Sequence, residues 1–266
     1  MPERYTLGHH ESVLRSHRWR TAFNSAAYLL PHLSPGMNVL DVGSGPGTIT
    51  IDIAQLVAPG RVLGIDASEE VVAEARKLAE ERGVTNVEFR VADAYDPGFA
   101  PGEFDVVHAH QVLQHLARPV DALAAWRRIV GPDGLVAARD CDYEGAIEFP
   151  TTAGLELWKT SYLQLARHNG GNPDAGRRLK AWARQAGFVA VDSSASVWCF
   201  ESDEDRSWWG GLWADRALES EFATGLVESG IGDASTLAAI RTAWLDWVAD
   251  ADGWMILPHG EILARG

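Results

Sequence analysis

Cysteine is scarce: 266 residues contain two, Cys141 and Cys199. They form no CxxC pair and no cluster with metal-ligand spacing, so the sequence offers no disulfide framework and predicts no bound metal, and it fits a reducing, cytoplasmic compartment. Basic residues are also few, with 23 Lys and Arg against 37 Asp and Glu and a formal net charge of -14. A surface of that sign repels phosphate backbones and argues against nucleic acid as a partner. No apolar run is long enough to span a bilayer, so no membrane span is expected. The opening stretch MPERYTLGHHESVLRSHRW lacks the apolar core of an export signal, and export is not expected. His9 and His10 make no metal constellation with nearby carboxylates, and there is no internal repeat or low-complexity segment.

What remains is an acidic chain with 46% hydrophobic residues, enough for a substantial core in one large domain. Residues 12–30 read as one amphipathic helix with Trp19, Phe23, Ala27 and Leu30 on a stripe, ended by Pro31 and the Ser34-Pro35-Gly36 turn. Strands and helices then alternate. Strands are expected at 38–42, 62–65, 87–91, 104–109 and 135–138, and helices at 48–57, 69–82 and 120–130. Ser68 is placed to cap the second of these helices and Gly83 to close it. Short apolar strands alternating with helices predict a parallel sheet covered on both faces. Beyond residue 144 the alternation breaks. Helices are expected at 151–168, at 175–186 and, as two, within 203–250, with strands at 188–199 and 254–265. Nine of the eleven tryptophans lie after residue 150, where they either glue helices to the sheet or line an apolar substrate pocket.

The stretch VLDVGSGPGT, residues 39–48, carries the chemistry. A buried strand runs into Gly43, Gly45 and Gly47, and glycine at that density marks a backbone that something must approach. In an open parallel sheet ligands sit at the carboxyl ends of strands, where a glycine turn exposes backbone N–H groups. Asp66 ends the next strand about 20 residues on, the spacing at which a carboxylate grips a ribose diol. A pyrophosphate site wants GxGxxG. Here the third glycine comes one residue early, and Asp41 stands beside the loop, which suits a cationic ligand.

These residues resemble the motifs of class I S-adenosylmethionine-dependent methyltransferases. D-V-G-S-G-P-G, from Asp41 to Gly47, is similar to the first motif, and G-I-D-A-S, from Gly64 to Ser68, to the second. V-A-D-A, from Val91 to Ala94, resembles the third. F-D-V-V-H-A-H-Q-V-L-Q-H-L, from Phe104, and R-R-I-V-G-P-D-G, from Arg127, look like the UbiE-like branch. The resemblance is close over residues 36–140 and weakest in the C-terminal half. It implies a Rossmann-like α/β fold with a seven-stranded, mostly parallel sheet, helices on both faces and helical cap and lid insertions. Residues 1–35 would be an N-terminal cap, 36–144 the cofactor-binding core, and 145–174 and 203–252 lids over the substrate. Residues 175–202 and 253–266 would complete the sheet.

The resemblance also implies roles toward S-adenosylmethionine. Gly43, Ser44, Gly45 and Gly47 would make room for its methionine moiety and ribose, and Asp41 would order the loop. Asp66 would bind the ribose hydroxyls and Ala67 pack on the adenine. Asp93 and Ala94 would meet the adenine edge. His110 would present its carbonyl to the amino group, with Gln111 beside it, and Tyr5, Arg18 and Trp19 are candidates to cover the site. For chemistry, His115 is the first choice of base or orienting group and Asp140 the best carboxylate at the end of the fifth strand. Asp142 and Glu144 read as solvated loop charges; acids facing the pocket would favour an amine acceptor. The expected activity is methyl transfer to a small, apolar or aromatic O, N or C nucleophile by a chain that dimerises as UbiE-like enzymes often do. A non-methylating cofactor binder of the same fold and a nicotinamide-dependent oxidoreductase are the alternatives.

Overall fold

The computed structural model describes Thr6 and residues 16–266. Five strands, β1 (Val39–Val42), β2 (Val62–Asp66), β3 (Val87–Val91), β4 (Val106–His110) and β5 (Leu135–Cys141), are parallel in the order β3-β2-β1-β4-β5. Helices α1 (Thr48–Val57), α2 (Glu69–Glu81) and α3 (Pro119–Val130) connect them. The chain order reverses at β1, which lies between β2 and β4. A crevice therefore opens above the carboxyl ends of β1 and β4. Every residue of β1, β4 and β5 is buried, as expected of central strands covered on both faces.

The rest of the sheet is antiparallel. Strand β8 (Trp254–Arg265) pairs β5 along one edge and β7 (Ala190–Phe200) along the other. The short β6 (Ile147–Phe149) joins the start of β8. The sheet thus has eight strands where seven were expected; three residues leading to Pro150 are too few for a periodicity to reveal.

Side chains alternate across the sheet, which divides the core. Leu40, Val42, Val107, Ala109, Val136 and Ala138 pack under Trp126 of α3 and Trp182 of α5 (Leu179–Gln185). Val39, Val106, Leu135 and Ala137 pack on the other face against α1 and residues 22–29. On this second face each strand changes character toward its carboxyl end. Apolar residues give way to Asp41, His108, His110 and Arg139, all buried.

A separate core lies at the far side of the sheet. Helices α4 (Ala153–His168), α6 (Asp203–Glu219), α7 (Glu221–Glu228) and α8 (Ala234–Ala249) close over Trp198, Phe200, Met255 and Leu257. Trp158, Trp213 and Trp244 form its centre, with ring centroids 4.9 Å (Trp158–Trp213) and 4.7 Å (Trp158–Trp244) apart in edge contacts. Three helices occupy 203–250 rather than two, because Ser220 and Asp233 each accept a backbone N–H and start a new helix. The segment expected as one helix over 12–30 is also interrupted. Within the described residues, helical turns stand at 16–18, Ala22–Ser25 and Leu30–His32. Thr21 and Asn24 close a capping box that restarts the chain after Arg20, and Phe23 is left 67% exposed. At residues 175–186 the first turn is 3₁₀, and the helix proper begins at Leu179.

Trp213 touches Tyr143, Trp158, Tyr162, Trp209, Phe222 and Trp244 with no exposure to solvent. Trp213→Ala is expected to destabilise the protein by about 3–5 kcal/mol, read as a lowered midpoint in urea denaturation. A change under about 1 kcal/mol would show that this cluster is not a cohesive core.

Candidate functional site

The glycine loop between β1 and α1 opens on a cavity of about 390 Å³. Of the sequence-nominated residues, Asp41, Gly43, Ser44, Gly45, Asp66, Ala67, Ala94, His110, Gln111 and His115 line it. Gly47, Asp93, Asp140 and Trp19 are not on its wall, and Tyr5 lies outside the described residues. His17, Arg20, Val112 and Leu116 are on the wall without having been singled out.

The glycines serve two different needs. Gly45 has φ +55, and a Cβ there would meet only His17 Nδ1, at 3.8 Å, so its missing side chain leaves open space. Gly47 has φ +84 at the cap of α1, and a Cβ would press within 2.7 Å of Phe89 and 3.0 Å of Ala75. It is there so that α1 can pack closely, not to face a ligand. The loop amides are turned inward. Gly43 N–H and Ser44 N–H donate to Ile65 O at 2.7 and 2.9 Å, and Gly45 N–H to Asp66 Oδ2 at 3.1 Å. Exposed loop N–H groups were the expectation; the end of β2 consumes them, so no anion-binding nest remains at these three residues.

Asp41 is held from two sides. Thr50 Oγ1 donates to one carboxylate oxygen, and His108 Nδ1 lies 2.7 Å from the other. Asp66 Oδ1 accepts the N–H of Ser68 at 3.0 Å, so both of its oxygens are oriented by backbone. Asp93 is exposed and accepts the N–H of Tyr95 at 2.8 Å, which turns its carboxylate into a turn cap rather than toward the cavity. Trp19 packs on Trp198 at 5.2 Å and Trp208 at 5.0 Å, and Arg18 pairs with Glu74.

The end of β4 is the most polar part of the wall. His110 is 6% exposed, and neither ring nitrogen has a hydrogen-bond partner. Burial pushes this imidazole well below its usual pKa, and the charges of Arg139 and Arg20 push it further, so it is neutral. Gln111 takes φ 55, a left-handed conformation that a residue other than glycine adopts only when held. It is held at three points. Its N–H donates to Arg139 O at 2.7 Å, its Oε1 accepts from Arg20 Nη2 at 2.9 Å, and its Nε2 lies 2.8 Å from His259 Nε2. An amide donor there makes His259 Nε2 the acceptor, which leaves the His259 proton on Nδ1, 3.0 Å from Leu257 O. Burial keeps this second imidazole neutral too.

Alternation along β5 decides the fate of its acids. Arg139, opposite His110 in the parallel ladder, shares the cavity face and pairs with Glu261 Oε1 at 3.3 Å across β8. Asp140 therefore points to the other face. Its Oδ1 accepts the Gln114 N–H at 3.0 Å and so caps the turn Leu113–His115 that carries His115 to the wall. Asp140 Oδ2 is buried without a partner, and burial raises the carboxyl to about 7. Asp142 is not a solvated loop charge, since it is buried and Arg177 grips it at 2.5 and 2.8 Å; Glu144 stays exposed, with Arg177 at 2.9 Å. His115 is pushed down to about 3 by burial and by Arg20.

No described residue beyond Leu116 lines the cavity, so the helices expected as lids and their tryptophans are not on its described wall. They act at one remove. Asn172 donates to Leu116 O at 2.9 Å and its own N–H to Gln114 O at 2.6 Å, fixing the His115 turn. Arg216 of α6 holds Ser16 at 2.9 Å, and Trp198 Nε1 holds Asn24 O at 3.0 Å, anchoring the segment that carries His17 and Arg20.

Residues 33–187 match the family model described as "Methyltransferase domain". A Schizosaccharomyces pombe protein named "Uncharacterized methyltransferase C1B3.06c" is 34% identical over 270 residues, covering 98% of this chain and 96% of the relative. The "Ubiquinone biosynthesis O-methyltransferase" of Cereibacter sphaeroides is 30% identical over 192 residues, 72% of this chain and 74% of that protein. Among solved structures, the YcgJ protein from Bacillus subtilis superposes with a TM-score of 0.61 at 17% identity, over 91% of this chain and 98% of that one, a likeness of fold.

The raised Asp140 carboxyl carries a pH signature. The folded state keeps this proton to about pH 7, whereas an unfolded carboxyl releases it near its usual 3.8. The native state thus binds more protons in that window, and stability falls as pH rises through it. Asp140→Asn keeps the oxygen that caps the turn and has no proton to lose. It should match the wild type at pH 4 and exceed it by roughly 2–4 kcal/mol at pH 8 in urea unfolding. An equal difference at both pH values would mean that Asp140 titrates normally.

Proposed function

Since this chain belongs to the methyltransferase-domain family of S-adenosylmethionine-dependent enzymes, we propose that it methylates a small molecule with the donor held in the loop cavity. The carrying observation is the pair of oriented carboxylates, Asp41 and Asp66, on a wall whose loop amides are already bonded internally. That wall suits a ligand with a cationic amino acid part and a ribose diol and disfavours a pyrophosphate. The fit has further support. Ser44 Oγ is buried on the wall without a partner, and the missing Cβ of Gly45 leaves room beside it.

In this reading Asp66 binds the ribose hydroxyls through the lone pairs that Gly45 and Ser68 leave open. Gly43, Ser44 and Gly45 bound the ribose and methionine part, and Ala67 and Ala94 bound the adenine. Asp93 would have to leave Tyr95 to reach it. Asp41, fixed by Thr50 and His108, and the His110 carbonyl face the amino group. S-adenosylmethionine supplies a methyl group on a sulfonium, whose departure leaves a neutral thioether. Protein catalysis then consists of alignment and of water exclusion. His115 and Gln111, on turns locked by Asp140, Asn172 and His259, orient the acceptor. The relative named for ubiquinone biosynthesis supports a small-molecule acceptor. Among the described residues no helix is long and apolar enough to cross a membrane. A cytoplasmic setting and a homodimer complete the proposal.

Calorimetry tests the donor site. S-adenosylhomocysteine should bind and NAD should not. Asp66→Ala should weaken binding at least tenfold, since it removes charge-assisted bonds worth ~2–3 kcal/mol. Unchanged affinity would exclude Asp66 from the ribose site. Incubation with methyl-labelled donor and a cell extract should place label in the small-molecule fraction; label confined to protein would reverse the acceptor class.

A further inference from the structure

Apart from the short β6, the sheet ends at β3 on one side and at β7 on the other, and the two margins are built differently. β3 has five residues, and Glu88 and Arg90 stand exposed on it and pair at 2.9 Å, with Arg61 also on Glu88 at 2.7 Å. Short length and charge are what keep a sheet edge from recruiting another strand. β7 has eleven residues, no proline and one charged side chain, Asp192. Its register with β8 runs unbroken from Ala190 opposite Arg265 to Phe200 opposite Met255, so no bulge twists it away. Asp192, Ser193, Ser194 and Ala195 are exposed one after another, so the strand is open on both faces there. Among the described residues β8 is its one strand neighbour, and no backbone hydrogen bond reaches its outer side.

We infer that this edge pairs with β7 of a second copy of the chain, antiparallel about a two-fold axis, which gives the homodimer proposed above, on which the inference rests, its interface. The outer N–H and C=O groups of an edge this long are met in full by a strand of equal length, and the identical strand is one. A two-fold pairing also closes on itself, so neither copy keeps a free β7. The exposed apolar side chains fit the antiparallel direction. Val189, just before the strand, is 81% exposed. Val197, toward the other end, is 51% exposed and borders one crevice with Phe23, itself 67% exposed. Antiparallel pairing lays the Val189 end of one protomer beside the Val197 and Phe23 end of its partner, and does so twice. Charge fits as well. Copies that each carry a net -14 repel one another, and a margin with one acid in eleven residues adds little to that repulsion.

The test follows the full chain by sedimentation and by hydrogen exchange read with mass spectrometry. Sedimentation should show a concentration-dependent dimer. Amides of β7 should slow their exchange as the dimer forms, while those of β3 stay unchanged. Ser193→Lys and Val197→Lys, both at exposed positions, should each weaken the dimer by about tenfold or more, with the circular dichroism of the folded chain unchanged. Added salt should favour the dimer by screening the acidic copies. A dimer that keeps its affinity in both variants, that slows exchange elsewhere than in β7, or that salt dissociates would overturn the assigned edge and leave the homodimer standing. A monomer at every concentration would overturn both. Slowed exchange in β7 of a monomeric chain, seen only with added cell extract, would assign the edge to another protein and overturn the self-pairing too. Binding of the methyl donor enters none of these readouts, so the donor reading stands or falls apart from them.

Discussion

Burying polar groups in a sheet is costly unless each finds a partner, and the cavity end of this sheet is organised by that requirement. On one face, Asp41 meets His108, Arg139 meets Glu261, and Gln111 meets His259. Each link joins two different strands or their immediate ends. Together they tie β1 to β4, β5 to β8, and the end of β4 to β8. A slip of one residue in any of these strands would send a polar side chain into the apolar face opposite. The same links set the functional geometry. The left-handed turn at Gln111 exists because Arg139 O, Arg20 and His259 hold it, and it presents His110 and Gln111 to the cavity.

The helical part of the chain supports this arrangement from a distance. Its tryptophans form a core of their own, and none reaches the described cavity wall. Its contribution is to hold the pieces that do. Asn172 braces the His115 turn, while Arg216 and Trp198 fasten the segment bearing His17 and Arg20. A substitution deep in the helical core can therefore loosen the cavity without touching a ligand, because these contacts fasten the segment that carries His17 and Arg20.

Much of the fold was legible along the chain because its signals are local. The alternation of apolar strands with capped helices places α1 and β3 to the residue, and Ser68 caps α2 as its position suggests. Signals that depend on distant partners were not legible. The stripe through Trp19, Phe23, Ala27 and Leu30 looks helical, yet a capping box at Thr21 interrupts it and Trp198 draws Trp19 toward the sheet. The cavity was half legible. Asp41, Asp66 and the glycines announce themselves by spacing. Arg20 and His17 carry no motif, and contacts with distant elements, among them α6, β7 and Thr48 of α1, bring them over the site. Asp140 shows the limit of reading strand ends by type of residue: the register with β4 puts its neighbour Arg139 on the cavity face.

The sequence by itself determined the parallel sheet, the glycine loop and the carboxylates at the ends of β1 and β2. These rest on periodicity, on backbone freedom and on fixed offsets along the chain. Tertiary structure decided the rest: that the loop amides turn inward, that Gly47 serves helix packing, and that the acids after β5 face away from the cavity. It also decided that a guanidinium and neutral imidazoles line the cavity. Those facts depend on which face each side chain takes and which partner it meets across the sheet, and neither can be read from a residue's neighbours along the chain.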